Sequence, residues 1–128
     1  MRVLEAGEWG LLLPDEWQAD QEDDAIVIGD RDGVGCIEIS ELYKEDGDFS
    51  AEDLALFTAG ESVWTPVKLG SFVGFGTQLT EEGAAIREWY LYAQHLLLYV
   101  TYSCDIENAG MDDAAVDDIL DTLRMVAD

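Results

Sequence analysis

The chain of 128 residues holds 29 Asp and Glu against 6 Lys and Arg, with one His and two Cys, for a formal charge of -23, while 48% of its residues are apolar. A chain of this length buries roughly two thirds of the surface its unfolded form exposes, so a single soluble domain over residues 1–128 is expected, without need of a disulfide or a metal. The six cations stand apart at Arg2, Arg31, Lys44, Lys68, Arg87 and Arg124, which excludes the basic patch that nucleic acid or an anionic lipid surface requires.

Gly10–Leu13 reads as a short strand stopped by Pro14, which cannot donate to a ladder, and Asp15-Glu16-Trp17 as a turn or one helical turn. A charged loop is expected at 20–24. Residues 25–28 and 35–40 are β-rich runs, and Asp30-Arg31-Asp32-Gly33 between them has hairpin-loop composition. Ser50 is the expected N-cap of a first helix ending near Gly60, with Glu52 and Asp53 in its first turn and Leu54 and Phe57 inward. Residues 67–69, 72–76 and 77–79 suggest one or two strands, bent or bulged at their glycines.

The clearest strands are 84–92 and 96–103, joined by a hairpin at Ala93-Gln94-His95. In the second, Leu96, Leu98, Val100 and Tyr102 face one way and Leu97, Tyr99 and Thr101 the other, so both faces need cover. A helix over 112–127 is predicted to supply one cover, through Val116, Ile119, Leu120, Leu123 and Val126 or Ala127 at helical spacing, with Arg124 in its last turn. The fold class expected is α+β, a mainly antiparallel central sheet with a helix against each face.

Motifs for chemistry are incomplete. Gly60-Glu61-Ser62-Val63-Trp64 and Gly70-Ser71-Phe72-Val73-Gly74 both miss the nucleophile elbow, and His95 is the one imidazole available to any triad. Gly74-Phe75-Gly76-Thr77-Gln78-Leu79 lacks the third glycine of a dinucleotide fingerprint. Asp46-Gly47-Asp48-Phe49-Ser50 starts like a calcium loop, but Ala51 and Phe57 stand where glycine and a bidentate glutamate belong. Glu88 interrupts an apolar strand, with Arg87 on the opposite face, and reads first as a cross-strand partner. Cys36 and Cys104 read as free buried thiols that could bond only if their strands adjoin. No catalytic residue, cofactor or metal site is assigned.

The order of Leu12-Leu13-Pro14-x-x-Trp17, paired β runs, a short helix, a strand with Phe72 and Gly74, the Trp89-Tyr90 to Tyr102 hairpin and a C-terminal amphipathic helix resembles the small bacterial PsbP-like proteins. The resemblance implies an α/β/α sandwich that acts by binding other proteins without enzymatic chemistry. Some small acidic bacterial domains of similar organisation are immunity or accessory proteins.

The charge is uneven, with 18 acids and 3 bases in residues 1–61 against 11 and 3 in 62–128. The function expected is therefore sequestration of a basic protein partner, such as a toxin, because opposite potentials speed encounter and select partners. The residues expected to meet it are Asp20, Glu22, Asp23, Asp24, Glu45, Asp46 and Asp48, with Trp17 and Tyr43 as aromatic anchors. The alternatives are a small-ligand binder with an aromatic-lined pocket, a domain adapted to a salty solvent, and an unrecognised enzyme. Neither nucleic acid nor a membrane is expected as a partner. The longest apolar run falls short of the roughly 20 residues of a spanning helix. Glu5 and Glu8 also interrupt the stretch where a signal peptide is apolar, so a cytoplasmic location is expected.

Overall fold

The structure, a computed structural model, describes residues 1–31, 33–60 and 62–126. Among these residues, ten strands form two antiparallel sheets. The larger contains β3 (Trp17–Glu22), β4 (Ala25–Asp30), β5 (Gly35–Tyr43), β6 (Thr65–Leu69), β7 (Phe72–Glu81), β8 (Ala84–Ala93) and β9 (Leu96–Asp105) in the order β3-β4-β5-β9-β8-β7-β6. The smaller joins β1 (Arg2–Ala6), β2 (Trp9–Leu13) and β10 (Arg124–Met125) in the order β1-β2-β10. Among the described residues, helix is confined to α1 (Ala51–Leu54), α2 (Asp113–Leu120) and a 3-10 turn at Ile106–Asn108.

Strand register sorts the side chains of the large sheet. Ile39, Val100, Trp89 and Gly76 lie side by side on one face, and Ser40, Tyr99, Tyr90 and Phe75 on the other. The first face is the core. Ile28, Ile37, Ile39, Leu91, Leu98 and Val100 are buried there beneath Trp9, Leu11 and Leu13 of β2 and Val116, Ile119 and Leu120 of α2. Burying an aliphatic side chain of this size contributes about 1.5–3 kcal/mol, which is what holds the small sheet and α2 in place.

The α/β/α sandwich is thereby corrected, together with the layering that the PsbP-like resemblance implies. The protein is mainly β, and one face of the large sheet carries a second sheet plus a short helix. The other face carries only one helical turn and the segment that follows it, where Phe57 and Trp64 pack on Tyr90.

Both predicted helices are shorter than expected. The first has its N-cap at Ser50, whose hydroxyl accepts from the Asp53 amide while the Asp53 carboxylate accepts from the Ser50 amide, but it ends at Leu54. Only Leu54 of its apolar residues is fully buried, so nothing rewards further helical turns. The second stops at Leu120 because Thr122 turns the chain: its hydroxyl donates to the Ile119 carbonyl at 2.6 Å and accepts from the Leu12 amide at 2.8 Å. Leu123 still reaches the core, but Arg124 and Met125 pair with Gly10 and Trp9 as β10. Ala127 lies outside the described residues.

Two further corrections concern the strands. Residues 20–24 are not one loop, since Asp20 and Glu22 belong to β3 and the turn is Asp23-Asp24. Residues 72–81 form one strand in unbroken register with β8. The hairpin of β8 and β9 and the pairing of β4 with β5 stand as expected. Cys36 and Cys104 lie on adjoining strands, but Cys36 is opposite Ser103 and Cys104 opposite Gly35, so the thiols point to opposite faces and are free.

Candidate functional site: a carboxylate-rimmed cleft

Where the small sheet leaves the large one uncovered, a cleft of about 380 Å³ opens between β1 on one side and β3 and β4 on the other. Its floor is apolar, made by Leu4, Trp9, Ile26 and Ile39, and its rim carries Glu5, Asp20, Asp24 and Glu41. None of the lining residues is a cation. Among the described residues, the one ion pair at the rim is distant, Arg124 Nη2 standing 3.7 Å from Glu5 Oε1.

The turn of the β1–β2 hairpin is fixed onto β5. Trp9 Nε1 donates to Glu41 Oε2 at 2.7 Å, Tyr43 Oη donates to the same oxygen at 3.2 Å, and the Glu8 amide donates to Tyr43 Oη at 3.4 Å. Burial pushes the Tyr43 hydroxyl up from its ordinary value, and the Glu41 carboxylate adds to the shift, so it stays protonated and able to donate. Gly7 is required at this turn. Its φ is +60°, and a Cβ there would lie 2.7 Å from Tyr43 Oη. Glu8 in turn meets His95, with Nε2 3.0 Å from Oε1.

Register gathers most of the expected partner-binding residues at this one end of the molecule. Ala25 pairs with Ser40 and Tyr43 with Leu96, which brings the Asp23-Asp24 turn, the segment after Tyr43 and the Gln94-His95 turn to the same end of the large sheet. The loop after β5 is clipped there by the Lys44 amide donating to the His95 carbonyl and the Phe49 amide to the Gln94 carbonyl, both at 2.8 Å. Glu45, Asp46 and Asp48 are exposed on that loop, and Lys44 Nζ bonds the Asp53 carboxylate at 3.0 Å and the Asp48 carbonyl at 3.2 Å. Asp24 lines the cleft, and Asp20 lies at its edge with its side chain on the face of β3 away from Ile26. Glu22 and Asp23 are exposed beside the cleft, and Tyr43 stands at its end, 37% exposed.

Trp17 is placed elsewhere. It opposes Asp30 at the far end of β3 and is 4% exposed, a core residue that cannot meet a partner. Sequence reasoning missed Glu5, Trp9 and Glu41. The strand alternation of 35–43, carried past Ser40, would have put Glu41 on the same face as Ile37 and Ile39.

Two other polar arrangements have structural roles. Arg87 lies on the core face with its guanidinium 4.7 Å from the Trp89 ring, bonds Asp117 of α2 at 2.7 Å and stands 3.5 Å from Asp113, thereby fastening α2 across β8. Tyr102 Oη donates to the buried Asp112 carboxylate at 2.6 Å. On the opposite face Glu88 accepts from Tyr99 Oη, and Tyr99, Tyr90 and Phe57 stack at 4.8 and 5.1 Å. That aromatic shelf borders a shallow hollow of about 200 Å³. His95 is bonded to Glu8, and among the described residues no group of three His, Cys, Asp or Glu side chains is arranged to hold a metal. No described helix is long and apolar enough to cross a membrane.

No protein-family model and no curated protein matches the chain. Solved structures do match its fold. A Bacteroides thetaiotaomicron protein superposes with a TM-score of 0.70 at 15% identity, over 94% of this chain and 46% of its own. This chain thus spans less than half the length of that protein. LpqN of Mycobacterium tuberculosis, described as involved in cell envelope biogenesis, superposes with a TM-score of 0.56 at 15% identity, over 93% of this chain and 83% of its own. At these identities the likeness is one of fold alone.

Proposed function

We propose that this protein is a non-enzymatic binding protein for a basic protein partner, of which a toxin is one class, received at the carboxylate-rimmed end. The carrying observation is the cleft, whose apolar floor and four rim carboxylates, without a cation in the lining, suit a segment that carries both apolar and basic side chains. Apolar side chains of the partner cover Trp9 and Leu4 while its charged heads reach the carboxylates of the rim. Glu22, Asp23, Glu45, Asp46 and Asp48 around it extend the negative field and speed encounter. A cytoplasmic setting belongs to this proposal, as two free thiols suit a reducing compartment. The test is affinity capture from the source cell with the wild-type chain and with Asp20→Asn/Asp24→Asn as bait. A basic protein recovered by the first and depleted in the second supports the reading. Equal recovery by both, or recovery of no basic protein, contradicts it and leaves the charge as an adaptation to solvent.

A further inference from the structure

The cleft is flanked by two unpaired strand edges, β3 of the large sheet and β1 of the small one. Which main-chain groups they offer follows from the hydrogen-bond alternation of antiparallel pairs. The Arg31 amide donates to the Glu16 carbonyl at 2.9 Å, which makes those two a bonded pair and places Gln18, Asp20 and Glu22 in the same class toward β4. The amides and carbonyls of Ala19 and Gln21 therefore point outward. On the small sheet, the Val126 amide donates to the Glu8 carbonyl at 2.8 Å, and the Leu12 amide to Thr122 Oγ1, so even-numbered residues of β2 face away from β1. Arg2, Leu4 and Ala6 then pair with β2, and Val3 and Glu5 turn their main-chain groups outward. The two edges are tied at one end, where Arg2 donates to the Trp17 carbonyl, and between Leu4–Gly7 and Ala19–Gln21 they border the open cleft.

Resting on the reading of a basic partner, we infer that the bound segment is an extended strand of alternating basic and apolar residues that adds to the edge of β3. Side chains along β3 specify that alternation. Ala19 and Gln21 face the cleft with Ile26, while Asp20 and Glu22 face the other side. An added strand sets its residues opposite Asp20 and Glu22 on one face and the residues between them on the other. Opposite charges directly across a strand pair are favourable, so the first set is Lys or Arg. The second set meets Leu4, Trp9 and Ile26 and is apolar. Self-pairing of two copies along this edge would oppose carboxylates to carboxylates, which charge forbids, whereas a basic strand meets no such barrier. Strand addition supplies affinity through main-chain bonds and specificity through alternate side chains.

The test uses the intact chain and a synthetic ten-residue peptide of alternating Lys and Val with blocked ends, alongside two versions N-methylated at either the Val or the Lys residues. In titrations the parent binds, methylation of one alternate set weakens binding by about tenfold or more, and methylation of the other set changes it by less than about twofold. The Ala19 and Gln21 amides gain protection from hydrogen exchange in the parent complex. Equal binding by all three peptides overturns the inference and shows that charge alone is read, leaving the basic-partner reading intact. Absence of binding by the parent, or protection of Ala19 and Gln21 by self-association of the free chain, overturns it as well. Failure of the partner reading itself is seen separately, in the capture experiment.

Discussion

Asp112 precedes α2 in the N-cap position, yet its side chain caps nothing, because its carboxylate is taken by Tyr102. Burial raises the Tyr102 hydroxyl above its ordinary value and the bond to Asp112 adds to this; burial raises Tyr99 likewise, reinforced by Glu88. A tyrosine whose folded pKa lies above its unfolded one contributes stability that is complete below pH 10 and lost as pH rises beyond it. The urea midpoint of the wild type is therefore expected to fall above pH 10, and the fall to be shallower in Tyr99→Phe/Tyr102→Phe; equal slopes would refute the assignment. At neutral pH Tyr102→Phe alone leaves a buried carboxylate without its donor, at a cost of about 1–3 kcal/mol. A urea melt measures it directly. Neither bond could be read from the sequence, since Tyr102 and Asp112 become neighbours only once β9 leads through the 3-10 turn into α2. Glu88 carried a better signal. An acid within an apolar strand, with Arg87 on the other face, pointed to a cross-strand partner, and Tyr99 is its diagonal neighbour on β9, two residues from the directly opposite Thr101.

The elements that were legible are those whose apolar residues repeat without interruption. The 84–92 and 96–103 runs are strands because Trp89, Leu91, Leu98 and Val100 keep strand alternation against a covered face. β3 was hidden by its own chemistry, for an edge strand tolerates Asp20 and Glu22 on its open side and so looks like a loop. The helical spacing of 116–127 overran because Leu123 keeps the period after the helix has ended, being buried from a turn instead. α2 is fixed to the core by Val116, Ile119 and Leu120, so Leu120→Ala is expected to cost about 2–5 kcal/mol in a urea melt. A cost under about half a kcal/mol would contradict the packing described. β7 offers a sharper case. A Cβ on Gly74 would stand 1.9 Å from the Tyr90 carbonyl oxygen, so Gly74→Ala must push β7 from β8. Gly29→Ala is the control in another strand, its nearest contact being 3.8 Å away. Gly74→Ala is expected to lower the thermal midpoint well beyond Gly29→Ala, and equal midpoints would show that the pairing of β7 with β8 is misdescribed.

At the scale of the molecule, acids far apart in sequence meet because antiparallel strands return every second turn to the same end. Asp24, Glu41, Glu45 and Glu8 share one end of the structure for that reason, and loop composition alone indicated only the 20–24 and 45–48 groups. What composition could not reveal was the apolar floor beneath the carboxylates, since Trp9 and Leu4 come from a hairpin whose placement depends on the whole core. The central claim is that this end receives a basic partner. Its most direct measurement is the association rate of the captured partner with the wild type and with Asp20→Asn/Asp24→Asn, at low and at physiological ionic strength. The wild-type rate should fall steeply with salt, as charges beyond about 8–10 Å become screened, and the double variant should associate several-fold more slowly with a flatter salt dependence. Rates that ignore both the salt and the two substitutions would contradict the account.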